Sequence, residues 1–92
     1  MADRTVGLPG HELIDAGLAD LARGTESVHA LLVAIGAPRL RALGMAVPPT
    51  PAHPEHRLYR LLAAADPNAA HGRYNALVRR LVSFERALAC AS

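Results

Sequence analysis

Apolar residues along this chain recur mainly at intervals of three and four, the spacing that sets side chains on one face of an α-helix. The first such stretch covers residues 10–23, with Ile14, Leu18, Leu21 and Ala22 in one stripe, Leu13 and Gly17 beside it, and Glu12, Asp15 and Asp20 opposite. Gly24 suits the left-handed residue that closes a helix, and Thr25 is placed to cap the next one. A second helix is expected over residues 26–35. There Val28, Leu31, Leu32 and Ile35 form one face, while Ala30, Val33 and Ala34 make the opposite face apolar too. Gly36-Ala37-Pro38 reads as its stop, because glycine favours helix ends and proline disfavours helix in the residue ahead of it. A short helical turn over residues 39–43 follows and closes at Gly44.

Pro48, Pro49, Pro51 and Pro54 then remove backbone donors and restrict φ, so residues 45–53 are expected to form an extended, fairly stiff connection. A third helix is predicted over residues 54–65, with Leu58, Leu61, Leu62 and Ala65 as its stripe. Asp66-Pro67 has the form of an N-cap and first helical residue. The fourth helix, residues 67–89, is the best patterned, since Ala70, Tyr74, Leu77, Leu81, Phe84 and Leu88 share one stripe. Strict period-two alternation is absent. The expectation is an all-α protein of one domain, residues 1–92: a compact four-helix up-down bundle with a proline-rich linker between helices two and three, and a flexible tail at residues 1–9.

Composition refines this picture in two ways. Nineteen Ala inflate the 51% hydrophobic content, so fourteen Leu, six Val, two Ile and three aromatic residues must fill a lean core. No apolar run approaches the ~20 residues of a spanning helix, and residues 1–10 lack the apolar core of a secretory signal. Cys90 is the only cysteine, so the chain has no internal disulfide. A reducing, cytoplasmic setting is therefore expected. All ten basic residues are Arg, set against eight acids, and the net +2 is too small to imply nucleic-acid binding by itself. The charge is uneven: residues 1–46 hold four Arg and five acids, net −1, whereas residues 47–92 hold six Arg and three acids, net +3. Such polarity suits docking to a partner or to a second copy.

Candidate chemistry is sparse. His53 and His56 have the spacing of a metal-ligand pair, with His71 a possible third, but no second paired motif completes a site, so no metal or other cofactor is expected. Ser27, Ser83 and Cys90 lack the glycine-rich elbow of an activated nucleophile, and neither a phosphate-binding loop nor a dinucleotide fingerprint is present. The expected function is therefore non-enzymatic: a protein-interaction or small regulatory module, self-associating as a homodimer through Ala30, Val33 and Ala34. One alternative is nucleic-acid binding through Arg73, Asn75, Arg79 and Arg80 on helix four, residue types that read base edges and phosphates. Another is a small-anion site at Arg39 and Arg41, where a helix starting at Pro38 would offer free donors. Glu85, at the edge of the helix-four stripe, needs a cationic partner if buried; Arg41, Arg57 or an Arg of another subunit could supply it.

Overall fold

A computed structural model describes residues 6–91. They form four helices, α1 (His11–Ala22), α2 (Val28–Ala42), α3 (Pro54–Ala65) and α4 (Ala70–Ala91), and no strand occurs among them. The helices pack as a bundle with α2 in the middle, against α1, α3 and α4. α4 is 22 residues long, about 33 Å at 1.5 Å per residue, and so accounts for most of the 41 Å long dimension. The expected flexible tail lies partly outside the described residues. Within them, Leu8 packs on the core and its carbonyl accepts from the His11 N–H at 3.2 Å, so the chain is anchored before α1 begins.

Local chemistry explains most helix ends. Gly24 (φ 72°) and Gly44 (φ 96°) take the left-handed conformation after α1 and α2. At α1 the Thr25 N–H donates to the Asp20 carbonyl at 2.8 Å and Gly24 to Leu21 at 3.1 Å; at α2 Met45 donates to Leu40 and Gly44 to Arg41, both at 3.0 Å. Both ends thus satisfy their orphan carbonyls with the paired bonds of a Schellman closure. Ser27, rather than the expected Thr25, caps α2, accepting from the Ala30 N–H at 3.1 Å. Asp66, expected as the N-cap of a helix starting at Pro67, instead closes α3; its Oδ1 accepts from the Asn68 N–H at 3.1 Å within a turn over residues 66–69, and α4 starts at Ala70.

The expected stop at Gly36-Ala37-Pro38 is not a stop. α2 runs through it to Ala42, with Pro38 inside the helix and exposed. Proline forfeits one helical hydrogen bond, yet Ala34, Gly36, Ala37 and Leu40 are all buried around it, and that burial keeps the segment helical. Gly36 serves packing instead of termination: a Cβ there would lie 2.8 Å from Leu81 Cδ1 and 2.9 Å from Glu85 Oε2. Gly17 does the same for α1. A Cβ on it would fall 2.3 Å from the His29 carbonyl oxygen and 2.4 Å from Val33 Cγ2, so the α1 backbone rests directly on α2.

This crossing corrects the premise of an exposed back on α2. Ala30 and Val33 are 1% and 0% exposed and Ala34 is 4% exposed, all within one chain, so these three residues offer no surface to a second copy. Four short helices can cover both sides of α2 because a glycine at the crossing lets α1 come close. Leu31, Leu32, Leu40, Leu58, Leu62, Phe84 and Leu88 complete the core.

A candidate docking groove along α3

An open depression lies on the outward face of α3, opposite its buried Leu58 and Leu62. His53, Arg57 and Leu61 make one ridge at four-residue spacing; His56, Arg60 and Ala64 make the adjacent one. Between them and Glu26, in the α1–α2 connection, lies a groove of about 670 Å³. Arg57 Nη1 donates to Glu26 Oε1 at 2.7 Å and ties the two walls together. Arg60 makes no ion pair among the described residues. Leu61, expected in the core stripe, is instead 37% exposed and gives the groove an apolar floor with Ala64.

The entrance to α3 is held by the backbone. His53 has φ 53°, the one non-glycine residue in the left-handed region among those described, directly ahead of Pro54 at the first helical turn. Proline is pre-set for that position, and the Arg57 N–H bond to the His53 carbonyl (3.1 Å) starts the helix. Arg41 braces the approach: its Nη2 donates to the carbonyls of Val47 (3.2 Å) and Pro48 (2.9 Å), fastening the proline segment to the end of α2. Behind Glu26, which borders both spaces, a cavity of about 130 Å³ opens between Leu21, Ala30 and Leu31 on one side and Pro49 and Pro51 on the other.

The remaining candidate residues are dispersed. Because α2 continues past Pro38, Arg39 and Arg41 sit in its last turn, where the negative end of the helix dipole disfavours an anion; the expected anion site loses its basis. Glu85 is half-buried against Gly36. Burial raises its carboxyl above the ordinary value, and the cation that partly offsets this is Arg39. Arg41 and Arg57, named from sequence as partners, are engaged elsewhere. Asp20 accepts from Ser27 Oγ at 2.6 Å and pairs with Arg23, and the Ser27 bond foremost lowers its pKa.

On α4, Arg73, Asn75, Arg79 and Arg80 are all exposed. The Asn75 amide donates to His71 Nε2 at 3.2 Å, and Arg80 reaches Glu12 of α1 at 3.4 Å, so two of the four groups expected to contact nucleic acid already have protein partners. His53 and His56 join no metal-binding set: among the described residues no cluster of three or more His, Cys, Asp or Glu could hold an ion. No described helix is long and apolar enough to cross a membrane.

No protein-family model matches the chain, and no curated protein or solved structure matches it significantly.

Proposed function

We propose that this chain is a non-enzymatic docking module that receives a partner protein along the outward face of α3. The observation that carries the reading is the groove itself: two adjacent ridges of His and Arg that end in the exposed Leu61 and Ala64, on a helix whose other face is anchored in the core by Leu58 and Leu62. A surface that combines apolar area with arginine on a rigid element has the composition of a protein-binding site. Partnering through α2 is no part of this reading, since Ala30, Val33 and Ala34 lie inside the chain. A reducing, cytoplasmic setting fits it, with the exposed Cys90 left as a thiol.

The test is a peptide-display selection against the folded protein, followed by mapping of the selected peptides by amide chemical shifts. Peptides that shift residues 53–64 and lose binding in Leu61→Asp, with the helical spectrum retained, support the reading. Selected peptides that map to α4 overturn it. So does duplex DNA that binds at physiological salt and shifts Arg73, Arg79 and Arg80.

A further inference from the structure

Resting on that docking reading, the geometry points to the partner's chemistry: an acidic protein segment carrying a single apolar anchor residue. Its carboxylates would lie over Arg60 with His53 and His56 beside it, and its anchor would enter the side cavity beside Leu21 and Pro51.

Charge supports the first half. The groove is lined by two Arg and two His against one acid, Glu26; Arg57 and Glu26 pair with each other, which leaves Arg60 as the cation without an acid partner. Arg60, 40° around the helix axis from His56 and one turn beyond it, is exposed and makes no ion pair among the described residues, and its guanidinium is a donor fork of the kind that matches a carboxylate. An acidic segment lying along this wall, about 18 Å long, brings a carboxylate to Arg60, the groove's cation without an acid partner.

Apolar surface supports the second half. The side cavity of about 130 Å³ is close to the ~150 Å³ that accommodates a benzene-sized apolar guest in an engineered core, so it fits a leucine or phenylalanine side chain. Its accessible walls are Leu21, Pro49 and Pro51 with Gly24 and Thr25 at the rim, the buried Ala30 and Leu31 lie behind them, and the one charged lining residue is Glu26 at the shared border. Glu26 borders both spaces, so the two lie side by side within reach of one short segment. Nucleic acid is the less favoured occupant. Its phosphates would match the arginines, but neither Leu61 nor the side cavity offers it anything, and no Phe, Tyr or Trp lines the groove for a base to stack on.

The test uses a pool of fluorescent acidic peptides of about 12 residues, enough at ~3.3 Å per residue to run along α3 and turn into the side cavity. A single Leu is walked through every position, and anisotropy is measured with the intact protein. At least one member should bind, and about tenfold more weakly, equivalent to ~1.4 kcal/mol, when its Leu is replaced by Ala or its Glu by Gln. Binding should fall as salt rises from about 50 to 300 mM, and Arg60→Glu should abolish it while the protein stays helical. Amide shifts at Gly24 and Thr25 should appear with the Leu peptide and vanish with its Ala version. The inference is overturned if no member of the pool binds, if Leu and Ala versions bind equally, or if single-stranded RNA competes the peptide off at equal concentration. Display-selected peptides that map to α3 without being acidic would sink this inference and leave the docking reading standing. Selected peptides that never map to α3 would sink both.

Discussion

Replacing Gly17 by alanine adds one methyl group at the point where α1 lies on α2. The new Cβ would sit 2.3 Å from the His29 carbonyl oxygen and 2.9 Å from its carbon. Unstrained carbon contacts need about 3.5 Å, so the helices must part by roughly 1 Å. Neither obstacle can swing aside, because the oxygen and carbon belong to the α2 backbone and Val33 Cγ2, 2.4 Å away, belongs to a fully buried side chain. Overpacking of this kind costs about 1–3 kcal/mol, against a helix-propensity gain of at most ~1 kcal/mol. The net loss is about 1–2 kcal/mol, which for a chain of this size lowers Tm by roughly 4–16 °C. The same substitution at Gly72 meets nothing within 4 Å and involves no left-handed backbone, so only the propensity gain remains and Tm should rise by a few degrees. Gly36→Ala should fall between them, since the nearest atom is the mobile end of Leu81, 2.8 Å away. Circular-dichroism melts of the three variants check the order. A Gly17→Ala protein melting at or above wild type would falsify the close α1–α2 crossing and, with it, the account of how α2 is covered.

Val33→Glu should unfold the protein, because an unpaired carboxylate at a fully buried site costs several kcal/mol; a helical protein with an unchanged melt would show that α2's back is accessible after all. Glu85→Gln tests the half-buried carboxyl. Its pKa is raised in the fold, so its contribution to stability is complete below the ordinary value of 4.5 and is lost as pH rises through the folded value; the Gln variant should lose less stability across that rise and be more stable at neutral pH. Urea midpoints measured against pH for the two proteins should diverge above that value, and parallel curves would contradict the burial of Glu85. Asp66→Ala removes the bond to the Asn68 N–H and should cost ~1 kcal/mol, read as a lower Tm; an unchanged melt would mean that the turn into α4 holds without it.

Residues that act locally were legible in the sequence. The helices at residues 54–65 and the long stripe through Tyr74, Leu81 and Leu88 follow from periodicity, and Gly24 and Asp66 act within a turn of themselves, so their neighbours in sequence are their partners in space. Pro38 and Gly36 misled for the opposite reason. Propensity argues for a break there, but a helix that buries Gly36, Ala37 and Leu40 gains more from continuing than one lost hydrogen bond costs, and only the packed bundle reveals that burial. The groove was half visible. His53, Arg57 and Leu61 and the ridge of His56, Arg60 and Ala64 have helical spacing that the sequence displays, yet Leu61 looks like a core residue until the orientation of α3 is known. The bond between Arg57 and Glu26 joins residues 31 apart, and the side cavity needs α1, α2 and the proline segment together. Periodicity tells which residues share a face of a helix; which face is buried depends on how closely neighbouring helices approach, and in this chain Gly17 and Gly36, by lacking a Cβ, set that distance.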